Sequence, residues 1–217
     1  MNSIFVPVKI LIVAASENEI NPLRNFIEVG KMQSSVDILI TGIGSVATAY
    51  ALTKQLQKKK YDLALNFGLA GSFNTDLEIG SVVNVTQEHF ADLGAEDGEI
   101  FLTLDEMGFA GSNEIINESE IKNKVLELIP QVCGITVNTV HGNEMSIEKV
   151  FNRFHPNSES MEGAAFLYCC MQEKIPCAQV RAISNFVERR NKDRWNIPLA
   201  IEHLNRNAIE ILKAFEI

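Results

Sequence analysis

The chain has 217 residues, 46% hydrophobic and 22% charged, which suffices for one folded unit with a sizeable core. Its 19 Lys and Arg against 28 Asp and Glu give a formal charge of −9, and a phosphate backbone repels such a chain, so a nucleic acid is not expected as its partner. The longest apolar stretches, residues 9–15 and 164–171, are too short to cross a bilayer, and no membrane role is expected.

Strand and helix alternate from the start. Residues 8–15 form a continuous apolar run, the pattern of a strand buried on both faces. The N-terminus lacks a basic leader and runs straight into a charged segment, which favours a first strand over a signal peptide. Residues 17–29 place Ile20, Leu23, Phe26 and Ile27 at helical spacing, with Pro22 tolerated near the first turn. A second strand is predicted over 36–41, a helix over 45–59 and a third strand over 63–67. Lys58, Lys59 and Lys60 complement the dipole where that helix ends. Strands follow at 81–86 and 135–141, then a helix over 162–174, a strand over 178–184 and a last helix over 198–214. Residues 93–123 are rich in glycine and acids with weak periodicity, and read as loop with one or two short elements. Residues 1–217 thus read as a single α/β domain, a three-layer αβα arrangement with a mixed central sheet.

Cys133, Cys169, Cys170 and Cys177 show no metal-type spacing and read as reduced thiols of a cytoplasmic protein. His89, His141, His155 and His203 lie too far apart for a local metal motif. Neither a metal nor an organic cofactor is expected.

Two glycine clusters follow predicted strands. Gly42, Gly44 and Ala47 in ITGIGSVATA make a G-x-G-x-x-A pattern that resembles a dinucleotide turn. Such a site needs an acid at the end of the next strand, whereas Asp62 begins it, so a tight strand-to-helix turn is the better reading. Gly68, Ala70 and Gly71 in NFGLAGSF stand at a strand's carboxyl end, where small residues let a ligand approach the backbone.

Three separated segments carry a resemblance. AASENE (residues 14–19), FGLAG (67–71), and SMEGAAFLYCC followed by RAISN (160–170 and 181–185) resemble the nucleoside phosphorylase and nucleosidase superfamily, which cleaves purine N-ribosides. Within it the chain is most similar to the futalosine hydrolases, through FADLGAED (90–97) and SNFVERRNKDRWNIPLAI (184–201). That resemblance implies hydrolysis of futalosine to hypoxanthine and dehypoxanthine futalosine in menaquinone biosynthesis, and a homo-oligomer whose neighbouring subunit can complete the site.

The resemblance also assigns roles. Glu162 would accept hydrogen bonds from the ribose hydroxyls and stabilise a ribose that becomes cationic, for which a carboxylate is suited. Glu19 would activate the attacking water, as a carboxylate does in glycosidases, with Glu17 as the competing assignment. Acids there, together with Asn66 where phosphorylases carry an arginine, favour water over phosphate as the nucleophile. Asn185 would donate its amide to the two acceptors, N7 and O6, of a 6-oxopurine; the related methylthioadenosine and adenosylhomocysteine nucleosidases carry Asp there. Met145, Met161 and Phe186 would pack against base or sugar, beside Gly68, Ala70 and Gly71. Beyond what the resemblance assigns, Arg189, Arg190, Lys192 and Arg194 form the densest basic run of an acidic chain, and Arg190 or Arg194 is expected to pair with the carboxylate at the far end of futalosine, with Trp195 lining the slot. The alternatives are a methylthioadenosine/adenosylhomocysteine nucleosidase, a purine nucleoside phosphorylase, or a non-catalytic nucleoside-binding protein; retention of both Glu19 and Glu162 speaks against the last.

Overall fold

The computed structural model describes residues 8–215; the reading of residues 1–7 as free of a leader lies outside that range. In chain order the elements are β1 (Ile10–Ala14), α1 (Glu17–Val29), β2 (Val36–Ile40), α2 (Ser45–Lys58), β3 (Leu63–Ser72), β4 (Val82–Phe90), β5 (Ala95–Asp97), β6 (Ile100–Leu102), β7 (Glu114–Ile116), β8 (Gln131–Thr136), α3 (Glu144–Phe154), β9 (Ser158–Ser160), α4 (Gly163–Gln172), β10 (Cys177–Phe186) and α5 (Ile197–Lys213).

Every residue of β1 is fully buried, and its side chains divide between two cores. Ile10, Ile12 and Ala14 join Ile20, Leu23 and Ile27 of α1 and Leu204, Ala208 and Ile211 of α5. Leu11 and Val13 join Leu52 and Leu56 of α2 and Phe166, Leu167 and Cys170 of α4. The continuous apolar run is therefore the signature of a strand covered on both faces, and each such Ile or Leu contributes about 1.5–3 kcal/mol by leaving water. Helices on both sides of a mixed sheet make the three-layer αβα fold expected from the sequence.

The sheet is more closed than the alternation implied. Parallel strands β2, β1, β3 and β10 lie side by side in that order. Beyond β10 the sheet continues through antiparallel β4, then β8 and β9. The short β9 returns to pair antiparallel with the end of β3, through Gly71–Glu159 and Ser72–Ser158. Five strands, β3, β10, β4, β8 and β9, thus form a ring at the carboxyl end of β3.

Several boundaries differ from the sequence expectation. β3 does not stop at Phe67 but runs through the glycine cluster to Ser72, because β9 and β10 flank it on both sides. The strand expected over 135–141 lies at Gln131–Thr136; past it, Asn138 is drawn to Asp92 (2.7 Å from its N–H) and His141 to Glu159 (2.9 Å). The 93–123 region holds three short strands, a β5–β6 hairpin and β7, which pairs with β4. α3 stands between the expected elements: its N-cap Asn143 accepts from the N–H groups of Met145 and Ser146, and Ile147, Val150, Phe151 and Phe154 are at helical spacing. No helix among the described residues is long and apolar enough to cross a membrane, and no cluster of three or more His, Cys, Asp or Glu there is arranged to hold a metal.

Candidate active site

A cavity of about 410 Å³ opens where the carboxyl ends of β1, β3 and β10 meet the starts of α1 and α4. Glu19, Met161, Glu162, Ala70, Gly71, Asn185, Phe186 and Arg190 all line it. Residues from four distant segments of the chain are thus brought together.

Glu19 sits in the first turn of α1. The N-cap Ser16 donates to its Oε2 from both backbone N (2.8 Å) and Oγ (2.9 Å), which fixes the carboxylate and leaves Oε1 towards the cavity floor, where the Leu69 N–H donates at 3.3 Å. Asn205 of α5 grips the same turn, donating to the Glu19 carbonyl (2.8 Å) and accepting from the Leu23 N–H (3.0 Å). Glu17, the competing assignment, is outside the cavity lining and paired with Arg24 at 2.7 Å.

Glu162 is the N-cap of α4 and 7% exposed. Its Oε1 accepts from the Gly44 N–H at 2.9 Å, and its Oε2 makes no hydrogen bond among the described residues. Gly44 adopts φ +94, a conformation that a residue with a Cβ rarely takes. The G-x-G-x-x-A turn therefore serves a carboxylate 118 positions away, and a second anion beside Glu162 would be repelled, which removes the dinucleotide reading.

Asn185 follows a register shift in β10 and lies opposite Gly71. Its Oδ1 accepts from Ser184 Oγ (2.8 Å) and its Nδ2 donates to the Phe186 carbonyl (2.9 Å). Nδ2 thus keeps its second hydrogen as a donor for a ligand.

Gly68 does not line the cavity. It makes room for Arg181, whose NH1 would be 2.0 Å from a Cβ at that position. Arg181 is 1% exposed, and its Nε and NH2 have no hydrogen-bond partner among the described residues. Close by, Glu88 is buried, accepting from Gln179 Nε2 (2.6 Å) and Thr136 Oγ1 (2.9 Å); Thr136 in turn accepts from the Ala164 N–H (2.7 Å) in the first turn of α4. Burial pushes the Glu88 carboxyl up to about 7, against the downward pull of Gln179, Arg181 and Thr136.

The basic run divides. Arg194 is paired with Glu188 at 2.7 Å and lines an adjoining groove of about 770 Å³ instead of the cavity. Arg190 lines both, with its guanidinium 5.0 Å from the centre of the Trp195 ring and no carboxylate partner among the described residues. Met145 is not brought to the cavity: it is 68% exposed on α3, and Met161 is the methionine of the wall. His89 stacks on Phe154 (5.0 Å between centroids) away from the cavity, and burial lowers its pKa. His141 and Glu159 do line the cavity. The sequence alone gives no role to His141, Glu159, Arg181, Glu88 or Asn205; the available signals were the place of Arg181 at the head of RAISN and the closeness of Glu159 to the SMEGAA segment.

Against known proteins, the chain is 31% identical over 179 residues to the futalosine hydrolase of Acidothermus cellulolyticus, covering 79% of this chain and 72% of that one. It is 28% identical over 227 residues to the 5'-methylthioadenosine/S-adenosylhomocysteine nucleosidase of Bacillus subtilis, covering 94% and 98%. Among solved structures, the nucleosidase of that second kind from Neisseria meningitidis, in complex with methylthio-immucillin-A, aligns with TM-score 0.77 at 18% identity, over 94% of this chain and 98% of that one. The futalosine hydrolase of Helicobacter pylori aligns with TM-score 0.75 at 18% identity, over 96% and 98%. The family described as the phosphorylase superfamily matches residues 9–215, and the chain is a member of it.

Proposed function

We propose that the chain is an N-glycosyl hydrolase that cleaves a purine ribonucleoside, with futalosine as substrate and hypoxanthine and dehypoxanthine futalosine as products, a step of menaquinone biosynthesis. The observation that carries this reading is the shared wall of Glu19, Glu162 and Asn185, in which the Asn185 amide retains a free donor for a 6-oxopurine edge.

In this mechanism Glu162 Oε2 accepts the ribose hydroxyls while Oε1 stays on Gly44, and its charge stabilises the oxocarbenium-like sugar. Glu19, with Oε2 held by Ser16, takes a proton from the attacking water. Asn185 donates to the base as negative charge builds on it. The acids Glu19 and Glu162 along the wall disfavour phosphate as nucleophile, and Arg24, the cation near the first loop, is already paired with Glu17. No step in this scheme calls for a metal or cofactor. Met145 stays in the proposal only as a residue that α3 would have to carry inwards when substrate binds.

The second reading is a methylthioadenosine/adenosylhomocysteine nucleosidase, favoured by the near full-length match to the Bacillus subtilis relative. The two part at Asn185. Base release from futalosine, inosine and methylthioadenosine in phosphate-free buffer tests them: hypoxanthine from futalosine supports the first, adenine from methylthioadenosine the second, and activity only on adding phosphate overturns both. Exposed Ile43, Val46 and Tyr50 at the start of α2, beside the cavity, support a second copy of the chain closing the site. The four cysteines, all free thiols, agree with a cytoplasmic protein.

A further inference from the structure

We propose that His141, held by Glu159, is a further catalytic residue of this site, a general acid that protonates the departing base from the side opposite Asn185. The inference rests on the nucleosidase reading of the cavity.

Glu159 is 4% exposed and grips His141 twice, accepting from its backbone N–H at 2.9 Å on Oε1 and pairing with its Nδ1 on Oε2. An ionised carboxylate only accepts hydrogen bonds, so Nδ1 carries a hydrogen and Nε2 is the nitrogen left for chemistry. Nε2 makes no hydrogen bond among the described residues, and the residue forms part of the cavity wall. His141 lines both this cavity and a neighbouring groove of about 580 Å³, and an imidazole with one nitrogen locked on a buried carboxylate and the other left unbonded is oriented for proton transfer.

Its position within the cavity follows from strand register. Gly71 of β3 pairs with Glu159 of β9 on one side and with Asn185 of β10 on the other. The two side chains therefore rise from strands two spacings apart, roughly 10 Å, at the same level of the ring. Asn185 is the proposed base reader, so the His141–Glu159 pair stands at the base end. Glu19 and Glu162 approach instead from the starts of α1 and α4.

The step balances. As the bond between the ribose C1′ and the purine nitrogen breaks, both its electrons stay on the base, and the Nε2 proton of the His141 imidazolium passes to a base nitrogen. Water oxygen bonds to C1′ and its proton goes to Glu19. Transfer of that proton from Glu19 to His141 through solvent resets both groups, with Glu159 balancing the imidazolium charge meanwhile. The net result is one water divided between the base and the sugar.

The test compares the nucleoside that the wild type cleaves with 4-nitrophenyl riboside, whose phenolate leaves without a proton. His141→Ala is expected to lower kcat for the nucleoside on the order of 10²–10⁴-fold, with a loss below about tenfold on the nitrophenyl substrate. Exogenous imidazole is expected to restore nucleoside turnover to His141→Ala and not to Glu19→Gln. Glu159→Gln is expected to lose less than His141→Ala, with the double variant no worse than His141→Ala alone. Equal losses on both substrates, absence of imidazole rescue in a variant that melts like the wild type, or unchanged nucleoside turnover would overturn the inference and leave the nucleosidase reading standing. A wild type that releases base from no nucleoside would overturn both.

Discussion

Glu162 takes the backbone N–H of Gly44 on one carboxylate oxygen at 2.9 Å, and its other oxygen makes no hydrogen bond among the described residues. The turn after β2 thereby holds the acid at the start of α4. Glu162→Gln preserves the oxygen that accepts from Gly44 and removes the charge, so kcat should fall on the order of 10²–10³-fold with little change in melting temperature. Gly44→Ala forces a Cβ into φ +94 and should both destabilise the fold, by about 1–3 kcal/mol, and reduce kcat/KM. Steady-state kinetics alongside thermal melting distinguishes the two; a Glu162→Gln enzyme with full kcat would remove Glu162 from the mechanism.

Glu19 has two jobs that different substitutions separate. Glu19→Gln keeps a side-chain oxygen for Ser16 and loses the base, so activity should drop on the order of 10²–10⁴-fold while stability holds. Glu19→Ala also loses the capping contact, which should cost about 1 kcal/mol in a denaturant titration. Glu17→Gln, exposed and paired with Arg24, should leave kcat within a few-fold of wild type.

Asn185 carries the choice of base. Asn185→Asp presents a carboxylate where the amide donated, which disfavours the O6 acceptor of hypoxanthine and suits the amino group of adenine. The ratio of hypoxanthine to adenine release, measured with inosine and adenosine, should move towards adenine by about tenfold or more. A ratio that does not move would make Asn185 a turn residue.

Arg190 and Arg194 are close neighbours in sequence but differ in partner: Arg194 is bound to Glu188, and Arg190 lies over Trp195 with no acid partner among the described residues. Arg190→Ala should therefore raise KM for futalosine by about tenfold or more, because a charge-assisted contact is lost, and leave KM for inosine unchanged. Arg194→Ala should change either value less than about threefold. Equal KM values for futalosine in wild type and Arg190→Ala would place the substrate carboxylate elsewhere.

Glu88 links stability to pH. Its carboxyl titrates at about 7 in the folded chain against 4.5 as the reference, because burial disfavours the charged form. Between those values the folded state keeps a proton that the unfolded state releases, so the contribution is full below 4.5 and is lost as pH rises through about 7, by about 3 kcal/mol. Glu88→Gln cannot ionise, and its melting temperature should fall less than that of the wild type between pH 5 and pH 8. Parallel slopes in the two proteins would show that Glu88 is not the source.

Much of this protein is legible along the chain. The unbroken apolar run of β1 announces a strand covered on both faces, and the segments around Glu19, Glu162 and Asn185 are each short enough to read as motifs; all three residues stand in one wall. What sequence order could not supply is whatever depends on a partner far away. β3 continues through a glycine cluster that reads locally as a turn, because β9 and β10 satisfy its backbone from both sides. The exposed placement of Met145, the division between Arg190 and Arg194, and the grip of Glu159 on His141 follow from helix and ring packing. Local periodicity and backbone propensity determined the elements, since those forces act over a few residues. The site's protonation partners were decided only by the tertiary fold, since a carboxylate selects its donor by distance in space, as Glu162 does with a glycine 118 residues away.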